Sequence, residues 1–237
     1  MESHEVRLLT QVEDRHWWYA ERRELLRRAI AGLAPGDALD IGAAGGGNTR
    51  VLLQHGWRAA ALEYGAEGAR VCAERAISVV RADATALPLA PASLDLVVAF
   101  DVLEHIPDDK SAVVSVFEAL RPGGTFLVAV PVDMRLWSAH DEAVGHVRRY
   151  SRSELTDLLT GAGFVLEDVR SWMVLLRPAV ALRRWLGDRL GGESGSDLDD
   201  PPSWLNRVLG GVVAAERHLP VGSLPGVSVL VRARKFA

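Results

Sequence analysis

Three acidic residues at near-regular intervals and one glycine-rich turn hold the most readable chemistry in this chain. Asp40 stands just before the run Gly42-Ala43-Ala44-Gly45-Gly46-Gly47; Glu63 follows it by twenty-three residues, and Asp83 follows Glu63 by twenty. Residues 38–41 read as a short strand that opens into the glycines, and residues 48–55 as the helix that leaves them. Backbone N–H groups and the positive helix end therefore collect at the carboxyl edge of that strand. A pyrophosphate would ask for the spacing G-x-G-x-x-G. Here the third position from Gly42 is Ala44, and the sixth from Gly45 is Arg50. An acid ahead of the turn repels a pyrophosphate and suits an ammonium group. At the second strand end Glu63 suits the two hydroxyl donors of a ribose, and at the third Asp83 suits the exocyclic amine of adenine. An amino acid joined to a ribose and an adenine meets all three demands. Each acid alone also reads as a solvated strand-end cap; their succession after consecutive strands favours one shared ligand.

Farther along, four features could act on a second substrate. His105 sits in LEHIPD, and His140 and His146 lie with Asp141 and Glu142 in the polar stretch 132–150. Any of the three histidines can serve as a general base toward a hydroxyl or amine, although His105 also fits as a cap of the turn before Pro107. A divalent metal on His140, Asp141 and His146 is the other chemistry these types allow. The six-residue interval is no helix-face spacing and no H-E-x-x-H pattern occurs, so no metal is expected. Arg148, Arg149, Tyr150 and Arg152 form a basic cluster suited to a carboxylate or phosphate, or a solvated helix start balanced by Glu154 and Asp157. Trp17, Trp18 and Tyr19, with Arg22 and Arg23, read either as a lid that reaches a ligand carboxylate or as the seam that docks a leading helix.

The elements that must hold these residues follow from hydrophobic periodicity. Residues 13–33 are helical, and 38–41, 58–62, 77–81, 94–100 and 125–130 are strands separated by helices at 48–55, 66–75 and 111–120. That alternation predicts a parallel sheet covered on both faces. Helix 153–160 and strand 164–170 follow. Residues 172–190 carry a helical stripe interrupted at Pro178, 193–203 an acidic, proline-containing linker, 205–219 another helix and 227–233 a half-exposed strand. With 237 residues, 49% hydrophobic and 24% charged, the chain reads as one globular domain with additions. A net charge of −4 argues against nucleic acid as the main partner. The single cysteine, Cys72, a charged amino-terminal segment and the lack of a long apolar window predict a cytoplasmic protein in a reducing compartment.

The segments LDIGAAGGG, ALEYG, RADATALPLAPASLDLVVAFDVLEHIPD and LRPGGTFLVAVP, in that order, resemble the class I S-adenosylmethionine-dependent methyltransferases over residues 37–131. The departure is Ala43-Ala44, where many members carry a polar or second acidic residue. HWWYAERR, HDEAVGHVRRYS and LPGVSVLVRARK resemble a subset of those enzymes encoded beside sugar- or lipid-modifying proteins. The resemblance implies an α/β fold with a doubly wound, seven-stranded, mostly parallel sheet, an amino-terminal helix and a helical insertion before the last strand. Its domain reading is a helical extension over 1–36, a methyltransferase core over 37–171 and 226–237, and a lid or insertion over 172–225. By resemblance Asp40, Gly42, Ala43 and Gly45 line the methionine part of S-adenosylmethionine. Glu63 takes the ribose, Tyr64 lies beside the adenine, Asp83 and Ala84 read its amine, and Phe100 and Asp101 close the pocket near the sulfonium.

The implied reaction is methyl transfer, most simply to oxygen with a histidine base, on a small or lipid- or sugar-linked acceptor. Arg149, Tyr150 and Trp172 are the acceptor contacts expected, and an anionic acceptor fits the arginines. The insertion, with Trp172, Met173, Leu176, Trp185 and Trp204, could form a lid, a peripheral membrane contact through Arg177, Arg183, Arg184 and Arg189, or a homodimer interface. Rival readings are a nicotinamide-dependent reductase or epimerase, which the glycine spacing disfavours, and a cofactor-binding partner subunit without turnover.

Overall fold

The computed structural model describes residues 3–190 and 201–236. Helices α1 (Ser3–Val12) and α2 (Trp17–Ile30) come first. They are followed by β1 (Asp37–Ile41), α3 (Gly47–Gln54), β2 (Arg58–Glu63), α4 (Ala66–Glu74), β3 (Val79–Arg81), β4 (Leu94–Phe100), α5 (Asp109–Ala119) and β5 (Leu120–Pro131). The remainder is α6 (Ala139–Ala143), α7 (Arg152–Gly161), β6 (Phe164–Trp172), α8 (Arg177–Leu190), α9 (Ser203–Glu216) and β7 (Ser228–Lys235). Among the described residues seven strands form one sheet in the order β3-β2-β1-β4-β5-β7-β6. β1 to β5 pair in parallel, and β7 runs antiparallel between β5 and β6.

The period-2 alternation of the strands sends side chains to two separate cores. Leu39, Ile41, Val97, Phe126 and Val128 face the layer made by α5 and α7, with Val113, Val116, Leu155 and Leu159. Ala38, Leu96, Val98 and Leu127 face the opposite layer, where Leu26 and Ile30 of α2 join Val51 and Leu52 of α3. α2 thus covers part of the sheet itself. A third cluster joins Trp172, Met173, Leu176 and Val213 with Trp17, Trp18 and Leu25, which ties the helices between β6 and β7 to α2.

Several boundaries differ from the sequence expectation for identifiable reasons. The helix expected over residues 13–33 starts only at Trp17, because His16 caps α2 by accepting from the Trp18 N–H at 3.2 Å, and α1 precedes it over residues given no element. Trp172 closes β6 instead of opening a helix; Met173 takes a left-handed φ of 57° and α8 starts at Arg177. Pro178 is therefore in the first turn of α8, where its missing N–H costs no hydrogen bond. Asp108 caps α5 by accepting from the Ser111 N–H at 3.1 Å, which starts that helix two residues early. The acidic linker's residues 193–200 lie outside the described residues. No helix among the described residues is long and apolar enough to cross a membrane.

The turn after β1 tolerates little change. Gly42 has φ +67°, and a Cβ there would stand 2.5 Å from Val102 Cγ2. The backbone strain alone costs about 1–3 kcal/mol in a non-glycine residue. Gly42→Ala is therefore expected to lower the unfolding free energy by at least that much, read as a lower denaturant midpoint at an unchanged slope. An unchanged midpoint would show that the turn has another way to accommodate a side chain.

Candidate functional site

The carboxyl edge of the parallel strands carries the acids, but in steps of decreasing burial. Asp40 sits one residue inside the end of β1, paired in register with Ala61 and Val98, and is only 1% exposed. Thr49 Oγ1 donates to its Oδ2 at 2.7 Å, whereas Oδ1 has no hydrogen-bond partner. Burial pushes the Asp40 carboxyl up to about 7, with the Glu63 charge adding to the rise and the Thr49 hydrogen bond opposing it. Glu63, the last residue of β2, is buried; its Oε1 accepts from the Ala44 N–H, and burial raises its pKa too. A Cβ on Gly68 would come within 2.6 Å of Glu63 Oε2, so that glycine is what gives the carboxylate room. Asp83 lies beyond β3, exposed, and caps a short 3₁₀ turn through Thr85 N at 2.9 Å and Thr85 Oγ1 at 2.8 Å. Tyr64 is 76% exposed, while Ala43, Ala84 and Phe100 are buried.

Backbone strain marks the same edge. Ala44, Asp101 and Asp133 adopt φ of 49°, 56° and 71° just after β1, β4 and β5. Non-glycine residues held in this region cluster at functional sites. Nothing in the residue types foretold it.

The amino-terminal segment folds down over the glycine turn. Glu13, between α1 and α2, is buried and pairs with Arg75, and Arg50 Nη2 reaches it at 3.3 Å. A Cβ on Gly47 would lie 2.7 Å from Glu13 Oε2, and one on Gly45 would lie 2.7 Å from Thr10 Cγ2. Arg23 donates to the Glu13 carbonyl at 2.8 Å. Arg22 is buried against three rings, Trp18, Phe100 and Trp172, at 5.3, 5.2 and 5.0 Å, and pairs with Asp101. Burial draws its pKa down to about 9, and the Glu104 charge opposes the fall. Glu13 and α1 were invisible to sequence reasoning, because their contacts to Arg75 span some sixty residues and those to the glycine turn more than thirty.

On the far side of the cleft the stretch after β5 loops out and returns: Val132 bridges Tyr150, and the Asp133 N–H donates to the Tyr150 carbonyl at 2.9 Å. Inside the loop, α6 is started by a capping box of Ser138 and Asp141. The S-x-x-D pattern in SAHD is the signal that could have found it. Asp141, 0% exposed, is the hub of this loop. Its Oδ1 accepts from His146 Nδ1 at 2.8 Å and from Arg149 Nε at 2.7 Å; its Oδ2 accepts from Ser138 N at 2.9 Å. Burial alone would raise this carboxyl, but the His146 hydrogen bond and the charges of Arg149 and Arg184 hold it well below the usual range.

With Nδ1 engaged, His146 turns Nε2 toward Glu104 Oε1 at 3.9 Å. Its ring stacks edge-on to His105 at 4.7 Å and lies 6.4 Å from His140. Burial lowers the His105 pKa to about 4, its Nδ1 standing 3.2 Å from the Gly145 carbonyl. Burial raises the Glu104 carboxyl, and neither of its oxygens has a hydrogen-bond partner. All three predicted histidines therefore meet, together with a glutamate that the sequence reading passed over. The expected acceptor residues are placed differently from one another. Arg149 is spent on Asp141 and the Val132 carbonyl, and the Tyr150 hydroxyl on Asp109 Oδ2 at 2.7 Å and the Leu103 carbonyl at 3.2 Å. Arg148 also holds Asp109, at 2.5 Å. Trp172, 4% exposed, keeps an indole N–H without a partner.

A reversed strand at one end of a doubly wound parallel sheet, with a buried acid ahead of a glycine turn, defines a Rossmann-like methyltransferase domain. A family model described as a methyltransferase domain matches residues 15–169. A Mycolicibacterium smegmatis protein that carries the name probable S-adenosylmethionine-dependent methyltransferase is 31% identical over 168 residues, covering 68% of this chain and 65% of its own. The O-methyltransferase cnsE of Penicillium expansum is 32% identical over 145 residues, 57% of this chain and 52% of its own. The chain thus spans between half and two thirds of these relatives' length. Among solved structures, the methyltransferase in complex with the Haloferax volcanii Trm112 methyltransferase activator superposes with a TM-score of 0.64 at 19% identity, over 99% of this chain and 96% of that one. The chain belongs to the class I S-adenosylmethionine-dependent methyltransferase family.

Proposed function

We propose that the protein transfers a methyl group from S-adenosylmethionine to a hydroxyl oxygen of a small or lipid- or sugar-linked acceptor. The observation that carries the cofactor assignment is the buried Asp40 carboxylate, whose Oδ1 lacks a partner beside the glycine turn. That oxygen supplies what an ammonium group needs. Gly42, Ala43 and Gly45 offer backbone to the methionine part, Glu63 faces the ribose, and Tyr64 is free to cover the adenine. Asp83 and the Ala84 backbone meet its amine, and Phe100 and Asp101 border the sulfonium. The family and the O-methyltransferase named among the relatives support the reaction class.

When bound, the cofactor supplies a methyl carbon already activated by a positive sulfur, which leaves with the S–C electron pair as the acceptor oxygen forms the new C–O bond. The protein's own part is positioning, exclusion of water and removal of one proton. His146 is built for the last task. Asp141 fixes the proton on Nδ1, so Nε2 offers a lone pair on the cleft side and accepts the acceptor's hydroxyl proton. Arg149 and Tyr150 serve by holding Asp141 and Asp109. Trp172 lines the acceptor space with its unpaired N–H, and α8 and α9 roof it through the cluster around Trp17 and Trp18. The exposed Leu182, Trp185 and Leu186 of α8 give a lipid-linked acceptor's membrane a place to meet the protein.

Calorimetry with S-adenosylhomocysteine and with NAD tests this reading directly. Binding of the first and none of the second is expected, and the reverse would overturn it. Asp83→Ala should weaken S-adenosylhomocysteine about tenfold, the worth of one hydrogen bond to a charged acceptor. An unaltered Kd would remove Asp83 from the pocket.

A further inference from the structure

We propose that Glu104, His105 and His146 form a binding site for a divalent transition-metal ion on the acceptor side of the cleft. One ligand atom from each of the three lies within 4.8 Å of the other two. Glu104 is fully enclosed, yet neither carboxylate oxygen receives a hydrogen bond. The two histidines cannot supply one. His146 gives its Nδ1 hydrogen to Asp141 at 2.8 Å, which leaves a bare lone pair on the Nε2 that faces Glu104. His105 has Nδ1 beside the Gly145 carbonyl, which only accepts, so its hydrogen is on Nδ1 and its lone pair on Nε2. The nearby guanidinium groups are engaged elsewhere, Arg22 with Asp101 and Arg149 with Asp141.

With Glu104 ionised, the lone pairs of His105 and His146 thus converge with a buried carboxylate to which no side chain donates. Buried groups of this kind are normally satisfied, and a shared cation satisfies all three together. The surroundings match a metal site in a second respect. A metal-bound imidazole commonly anchors its other N–H on a carboxylate or a backbone carbonyl; Asp141 and Gly145 do that here. Two imidazoles with one carboxylate suit zinc, cobalt, iron or manganese better than magnesium, and three protein ligands leave positions open for an acceptor oxygen.

The inference deepens the methyl-transfer reading and rests on it only for the ion's use. A bound ion narrows the acceptor to hydroxyls that chelate or coordinate, such as a catechol, an enol or a vicinal diol, and makes such a hydroxyl more acidic. Ion and proton compete for the same Nε2 lone pair, so the base role belongs to the metal-free cluster. The pattern was hidden in the sequence because Glu104 and His105 are adjacent while His146 is forty-one residues on, across β5.

The test uses the full chain, stripped with a chelator and titrated with Co2+, Zn2+ and Mg2+ by calorimetry and visible absorption. One Co2+ per chain with a visible d–d band is expected, together with Zn2+ binding far tighter than Mg2+. Glu104→Gln and His146→Ala should each weaken Co2+ by about 100-fold or more, beyond the loss typical for an outer-shell partner. S-adenosylhomocysteine affinity should stay unchanged in both, which shows that they fold. If Glu104→Gln fails to fold, the partly exposed His105→Ala answers the same question. No cobalt band, equal binding by the folded variants, or Mg2+ as tight as Zn2+ would overturn the site. Failure of the wild-type chain to bind S-adenosylhomocysteine would instead count against the methyltransferase reading and leave the metal result standing.

Discussion

Asp40→Asn is expected to weaken S-adenosylhomocysteine by about 10- to 100-fold at pH 8 and, at the same pH, to make the protein more stable. Both effects come from one buried carboxylate. Its Oδ1, buried and without a partner beside the glycine turn, is a charged acceptor for the ligand's ammonium, and a hydrogen bond to a charged group is worth about 1.5–3 kcal/mol. Without ligand, the same charge is a burden. Burial pushes the carboxyl up from 3.8 to about 7. Between those values the native state holds a proton that the unfolded chain has lost, so stability falls as pH rises through the window and the penalty is complete above it. The full penalty is at most about 4 kcal/mol at 1.36 kcal/mol per pH unit. Asparagine keeps an oxygen for the Thr49 hydroxyl and carries no charge. Ligand binding requires the carboxylate, so wild-type affinity should tighten as pH rises from 5.5 to 7.5 and level off, and the variant should lose that slope. Thermal melts and calorimetry across this range check both claims. A variant that binds as well as wild type, or one that melts lower at pH 8, would deny Asp40 this role.

How much of this was legible beforehand depends on how local each cause is. The strand–glycine–helix unit around Asp40 was readable because a short apolar run, the glycines and the start of α3 all lie within fifteen residues. The parallel sheet covered on both faces followed from alternating strands and helices, and the long insertion before β7 from its apolar stripes. Glu13 was not readable: its burial is made by Arg75 and Arg50, which α4 and α3 bring to it. Glu104 looked like one acid in a turn. Only the fold shows that the loop after β5 seals it, with the Val147 N–H donating to its carbonyl at 2.8 Å. Arg149 and Tyr150 read as acceptor contacts from type and place, which is a sound inference for exposed groups. Asp141 and Asp109 turn them inward, and the pairing partners of a buried arginine cannot be read from its neighbours in sequence. Breaking such a buried pair costs about 3–5 kcal/mol, which is why Arg149 holds the loop in shape before it can do anything else.

His146→Ala is expected to lower kcat by about 10²- to 10⁴-fold, the usual worth of a positioned general base, with S-adenosylhomocysteine affinity intact. The geometry separates the two functions. His146 touches Asp141, Glu104 and the rings of His105 and His140, all on the side of the cleft supplied by the β4 end and the loop after β5. Asp40 and Glu63 stand on β1 and β2. Removing the imidazole empties Nε2 of its lone pair, whether that pair takes a proton or an ion, and leaves the cofactor acids untouched. His140→Ala is the comparison, because its ring lies 6.4 Å from that of His146 and it is not one of the three groups whose ligand atoms converge at Glu104. It should cost far less. Release of S-adenosylhomocysteine, followed over a panel of catechol, phenol and sugar-diol acceptors, reads both variants against wild type. Equal turnover by His146→Ala with any acceptor the wild type methylates would take His146 out of the reaction. A drop for His140→Ala as large as for His146→Ala would move the base to His140.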